Sequence, residues 1–137
     1  MPTQLDGTQY LDVDDVLVLF AELFNCSIEA ARDQLTRPEL LASALARPMQ
    51  HAHYQDADVA LQAAVLAHGI AENQSFIDGN KRIAALTVLT FLDVNGHEMT
   101  GSDPDEVALA AWIIDLSEGL TLEKLARWLR PRLHARS

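Results

Sequence analysis

Apolar residues recur at helical spacing through most of the chain. Val13, Val16, Leu17, Phe20, Leu23 and Phe24 form one such stripe. Asp12 precedes it as an N-cap, and Asp15 stands at the third helical position, where an acid favours the helix dipole. Gln9-Tyr10-Leu11 reads as a short extended piece, and Ser27 to Gln34 as a short second helix. Thr36-Arg37-Pro38-Glu39 opens another, with the proline tolerated in the first turn. That helix runs through Leu40, Leu41, Ala44 and Leu45 and is expected to stop before Pro48. Pro48 to Asp56 is polar, aromatic and aperiodic, and is expected to form a surface loop near the functional site.

The middle of the chain is more apolar. Ala57 to Asn73 is apolar nearly all round, the pattern of a central buried helix. Asn80 to Val94 is a second such helix, ended by Asn95-Gly96. His97 to Thr100 is expected to be extended. Asp103-Pro104-Asp105-Glu106 combines an N-cap, a proline and an acid at the start of a helix that carries Trp112 and Ile113 and ends at Gly119. Thr121 caps a last helix bearing Leu122, Leu125, Trp128 and Leu129. The expectation is an all-α fold of about six helices around two central buried ones.

A chain of 137 residues with 49% hydrophobic content can bury a substantial core. It has no apolar run long enough to span a membrane, and its first residues do not read as a signal peptide. A net charge of −10 argues against direct binding to nucleic acid. The single cysteine, Cys26, cannot form an internal disulfide; a reducing cytoplasm and a buried, inert thiol fit it. The clustered acids near the start and the basic C-terminal stretch read as solvated faces, with a basic tail for an acidic partner as the alternative.

Chemistry concentrates between the two apolar helices, in Gln74-Ser75-Phe76-Ile77-Asp78-Gly79-Asn80-Lys81-Arg82. Gly79 permits a sharp turn and close approach of a ligand. The first N–H groups of the helix that follows lack internal partners and carry partial positive charge, which makes an anion site. Lys81 adds a point charge, Arg82 a planar fork, and Asn80 an amide donor. Asp78 would oppose phosphate alone but suits phosphate with Mg²⁺, an ion that takes oxygen ligands from both. On residue chemistry alone, a helix start with solvated basic residues is an equal alternative.

The stretch resembles the core motif of the Fic/Doc superfamily, and its Doc (death-on-curing toxin) branch in particular. That motif reads His, any residue, Phe, any residue, an acid or amide, a small residue, then Asn-Lys-Arg. Phe76, Asp78, Gly79, Asn80, Lys81 and Arg82 match it. Tyr10-Leu11, the segment Leu40 to Pro48, Phe91 to Gly96 and Leu125 to Leu129 also fit, in order and spacing. The likeness runs from about residue 10 to 133, within a single domain of residues 1–137. It implies a compact helical domain that transfers AMP or a phosphoryl group from ATP to a protein hydroxyl. The Doc branch implies a cytoplasmic kinase-like toxin acting on a translation factor, EF-Tu, and neutralised by an antitoxin protein seated in a groove. Lys81 and Ala85, where the Fic branch has Gly and Arg, favour phosphoryl over AMP transfer. By the same resemblance Asp78 serves Mg²⁺, Gly79, Asn80, Lys81 and Arg82 hold phosphates, Phe76 anchors the loop, and Met49 to Asp56 is a flap that aligns the target.

The chain departs from the motif at one position. The family histidine, which accepts the proton of the target hydroxyl, falls on Gln74. An imidazole with a pKa near 6.5 suits that work; a neutral amide can only orient the hydroxyl. Losing a general base costs roughly 10²–10⁴ in rate. Three explanations stand open: a disabled form of an active toxin, a natural variant kept as a nucleotide- or protein-binding module, or a base supplied from elsewhere. His51 and His53 are the nearest sequence candidates for such a base, although surface histidines are the simpler reading; His68 reads as a core histidine.

Overall fold

The computed structural model describes residues 3–5, 7–99 and 122–135. Among these residues the fold is helical: α1 (Val13–Leu23), α2 (Ile28–Gln34), α3 (Pro38–Gln55), α4 (Val59–Asn73), α5 (Asn80–Val94) and α6 (Leu122–Leu129). The expected helix from Asp103 to Gly119 and the Thr121 cap lie outside the described residues.

Side-chain caps start three of the helices. Asp12 accepts from the Asp15 N–H, and Asp15 accepts from the Asp12 N–H, each at 2.9 Å, closing a capping box on α1. Ser27 caps α2 through the Ala30 N–H at 3.0 Å. Asp58 caps α4 through the Leu61 N–H at 3.0 Å. The Arg130 guanidinium, from the short 3₁₀ turn after α6, grips the same Asp58 carboxylate at 2.6 and 3.1 Å.

Helix α4 is the centre of the fold, packed against α3, α5 and α6. Ten of its residues are buried, and Gln62 is the polar one among them. Its amide is satisfied: Oε1 accepts from the Tyr10 hydroxyl at 2.8 Å and Nε2 donates to the Ala57 carbonyl at 3.0 Å. Gly69 lets α3 approach closely, since a Cβ there would stand 3.1 Å from that of Ala44. The other central helix, α5, buries Ile83, Val88, Phe91 and Leu92 against this layer.

Two small antiparallel strand pairs form at the extended pieces expected near Gln9–Leu11 and His97–Thr100, and only their partner strands were not expected. In one, β1 (Thr3–Leu5) pairs with β2 (Thr8–Tyr10). In the other, β3 (His97–Met99) pairs with β4 (Leu133–Ala135) and ties the C-terminal segment to the end of α5. The Asn95 side chain brackets Gln9, accepting from its N–H at 2.7 Å and donating to its carbonyl at 2.9 Å.

The largest correction concerns Pro48 to Asp56. Helix α3 does not stop before Pro48 but continues to Gln55 and ends at Asp56, which is left-handed at φ 52°. Proline cannot donate to the carbonyl of Ala44, a defect worth about 3 kcal/mol in an isolated helix. Here Pro48 is buried and Met49 packs on the core, so the helix is held by its contacts with α4. The segment from Gln50 has no stripe to advertise a helix, because its residues are half-buried or exposed.

Candidate functional site

The loop between α4 and α5 is fixed from several directions. The Ser75 carbonyl accepts from the N–H groups of Thr36 and Arg37 at 3.0 and 3.1 Å, and from the Thr36 hydroxyl at 3.2 Å. The Ile77 N–H donates to the Gln34 carbonyl at 2.9 Å. The loop therefore lies against the α2–α3 connection like a strand of one bridge, Leu35 to Phe76. Phe76 is 2% exposed and its ring stacks on Phe20, 4.4 Å between centroids. The Asn80 side chain closes the turn, accepting from the Phe76 N–H at 3.1 Å and donating to its carbonyl at 3.0 Å. One N–H of the Asn80 amide is left for a ligand.

Gly79 begins α5 at φ +81°, and the Phe24 ring fills the space beside it. Unlike α1, α2 and α4, α5 has no side chain capping its first N–H groups. Those donors face a cavity of about 410 Å³ lined by Ala71, Gln74 and the residues from Ile77 to Arg82. Lys81 and Arg82 are exposed and have no carboxylate partner among the described residues. The Arg82 guanidinium rests over the Phe24 ring at 5.1 Å. Uncapped donors and two free cations around one cavity suit a polyanion.

Asp78 is exposed at the edge of this cavity, its Oδ1 accepting from the Gly79 N–H at 2.8 Å. No group of three or more acidic, histidine or cysteine side chains able to hold a metal occurs among the described residues. A single carboxylate whose other oxygen is unengaged fits Mg²⁺ that takes most of its ligands from phosphates and water. Gln74 closes α4 in the left-handed region, at φ 49° and ψ 52°, with its side chain exposed on the cavity wall. The other non-glycine residues with positive φ, Asn25 and Asp56, have the short polar side chains that favour that region; Gln74 does not.

All six motif positions from Gln74 to Arg82 that the sequence singled out for chemistry line this one cavity. The segment from Pro48 to Asp56 contributes nothing to its lining. His51 instead meets Gln55 at 3.2 Å, and His53 packs edge-on against Tyr54. His68 is a half-exposed partner of Glu72 rather than a core residue. Cys26 is half-buried and borders a second, smaller cavity, rather than being an enclosed thiol. Sequence reasoning missed Phe24, whose place on an apolar stripe looks like ordinary core. It also passed over Ile77, which is 65% exposed at the cavity rim.

A small helical domain with a cation-lined cavity where one central helix passes into the next is thus the class that fold and site define. The chain belongs to the Fic/DOC family, whose model matches residues 10–92. It is 37% identical over 94 residues to a protein of Mycolicibacterium smegmatis named Toxin Doc, a match covering 67% of this chain and 68% of that protein.

Proposed function

We propose that this chain is a Doc-like toxin domain that binds Mg-ATP in the cradle from Gln74 to Arg82. Its chemistry is phosphoryl transfer to a hydroxyl of a protein such as the translation factor EF-Tu, in the cytoplasm and under control of an antitoxin protein. The uncapped start of α5 beside Lys81 and Arg82 carries this reading. Backbone N–H groups of the first turn, the free Asn80 N–H and the two cations hold phosphate oxygens, and Asp78 holds Mg²⁺. Magnesium held there would supply neutralisation of phosphate charge. The target hydroxyl oxygen attacks the γ-phosphorus, its proton passes to a phosphate oxygen or to water, the bond to the bridging oxygen breaks, and ADP leaves. Positioning and charge supply most of such catalysis.

Gln74 orients the attacking hydroxyl but takes no proton, so transfer is slow. Ala85 is 1% exposed inside α5 and offers no second cation, which favours phosphoryl over AMP transfer. A second reading, a nucleotide- or protein-binding module without transferase activity, is favoured by Gln74 itself.

The test incubates this protein and Gln74→His with ATP labelled at the γ or α position, together with cell lysate. The expected result is γ-label on a protein, raised about 10²–10⁴-fold by the histidine. Label from the α position identifies AMP transfer. No label with either form leaves the binding-module reading. Calorimetry with Arg82→Ala tests the cradle, and unchanged ATP affinity would count against it.

A further inference from the structure

Among the residues that line the cradle, Gln74 alone offers an unengaged side-chain acceptor and donor together. Gln62 uses both ends of its amide inside the fold, and Asn80 makes two bonds to the Phe76 backbone. The Gln74 amide makes no hydrogen bond among the described residues. It stands on the wall of the same cavity that Lys81 and Arg82 line. Gln74, Asp78, Lys81 and Arg82 are all exposed, so water reaches this cavity freely. We infer that the chain, on the phosphate reading of its cradle, hydrolyses ATP to ADP and inorganic phosphate, with Gln74 holding the attacking water.

Proton count separates water from a protein hydroxyl at this position. A glutamine amide has no useful basicity, so the proton of the nucleophile must leave by another route. A serine or threonine hydroxyl has one proton. Donated to Gln74 Oε1, that proton orients the oxygen but is not free to leave. Passed to a phosphate oxygen, it leaves the amide oxygen nothing to hold. Water has two. One hydrogen-bonds to Oε1 and fixes the oxygen, while the other passes to an oxygen of the γ-phosphoryl group. Gln74 Nε2 donates to a γ-phosphate oxygen at the same time. The water oxygen forms its bond to the γ-phosphorus. The bond from that phosphorus to the bridging oxygen breaks, its electron pair stays with the bridging oxygen, and ADP leaves. Inorganic phosphate holds the water oxygen and both its protons until one is released to solvent. Glutamine fills this water-orienting role in phosphoryl transfer, where positioning and charge supply most of the catalysis. A histidine takes the proton itself and so suits a protein hydroxyl; a glutamine suits water.

The experiment incubates the full chain with Mg-ATP and no protein target, in water enriched in a heavy oxygen isotope. ADP, phosphate and the position of the heavy oxygen are measured. Affinity is read separately, by calorimetry with a non-hydrolysable ATP analogue. Gln74→Met keeps the length of the side chain and removes its amide. The expected result is one phosphate per ADP, with the heavy oxygen in the phosphate and none in the ADP. Turnover should be about 10²-fold lower in Gln74→Met, with analogue affinity changed no more than a few-fold. A chain that binds the analogue but releases no phosphate above the spontaneous rate overturns hydrolysis and leaves the cradle standing. So does heavy oxygen found in the ADP, or equal turnover in Gln74→Met. No binding of the analogue overturns the cradle, and the hydrolysis with it. If Gln74→Met loses the analogue as well, Gln74→Gly decides, since glycine suits the left-handed backbone there. Undiminished hydrolysis in that variant overturns the proposal.

Discussion

Phe24 occupies the space that a side chain at Gly79 would need. A Cβ built on Gly79 would stand 2.4 Å from Phe24 Cζ, and the φ of +81° is one that residues with a Cβ rarely adopt. Gly79→Ala is therefore doubly penalised. The backbone conformation alone costs about 1–2 kcal/mol, and displacement of Phe24 adds to it. The expected outcome is a lower urea midpoint together with loss of ATP binding, because the same ring supports Arg82. Combining Gly79→Ala with Phe24→Leu should recover part of the stability but not the conformational share. A double-mutant cycle measures the difference, and strict additivity would show that the two residues do not compete for space.

Asn80 matters to the loop before it matters to any ligand. Its amide makes both hydrogen bonds to the backbone of Phe76, at 3.1 and 3.0 Å. Asn80→Ala leaves a part-buried N–H and carbonyl without partners, at a cost of about 1–3 kcal/mol. Asn80→Asp keeps the acceptor but sets a carboxylate against the Phe76 carbonyl, and is expected to be no better than alanine. Denaturant unfolding without nucleotide checks this. Full stability of Asn80→Ala, with only ATP affinity reduced, would assign the side chain to the ligand alone.

The two central helices were legible because their burial is nearly all-round, and the α5 boundaries, Asn80 to Val94, are those the pattern predicts. The cradle was legible for a related reason. Gly79, Asn80, Lys81 and Arg82 are consecutive, so local sequence and local geometry coincide. What escaped was made by tertiary contact. Pro48 and the residues after it are helical because α3 lies along α4, which no property of Gln50 to Gln55 announces. Phe24 belongs to the site only because the α1 stripe ends against the α5 N-terminus, some fifty-five positions away in the sequence. The strand pairing of His97–Met99 with Leu133–Ala135 is likewise a contact between distant segments.

Gln74 is held in the left-handed region at φ 49°. A glutamine there carries a conformational cost of about 1–2 kcal/mol that glycine does not. Gln74→Gly should therefore raise the melting temperature, after allowance for the greater freedom of glycine in the unfolded chain. The same change removes the only side-chain amide at that position of the cavity wall. If transfer is measurable in the unaltered protein, it should fall in the glycine variant even as stability rises. A lower melting temperature would mean that the Gln74 side chain makes a favourable contact outweighing its backbone strain.

Asp58 links the start of α4 to the C-terminal segment, and its linkage to pH has a definite sign. The Arg130 guanidinium, hydrogen-bonded at 2.6 Å, holds the Asp58 carboxyl below its ordinary value of 3.8 against the opposing effect of partial burial, and the Leu61 N–H adds to the lowering. A folded-state value below the unfolded one means that the stabilisation is complete above the unfolded pKa and is lost as pH falls through the folded one. At pH 7, Asp58→Ala should cost about 1 kcal/mol from the lost cap. The Arg130 pair adds little, because both side chains are about half exposed. Below pH 4 the gap between the unaltered protein and Asp58→Ala should narrow as the carboxylate gains its proton. Urea midpoints of both proteins from pH 7 to pH 2.5 measure it. A gap that stays constant over that range would show that the charge of Asp58 contributes nothing, leaving the cap geometry as its whole effect.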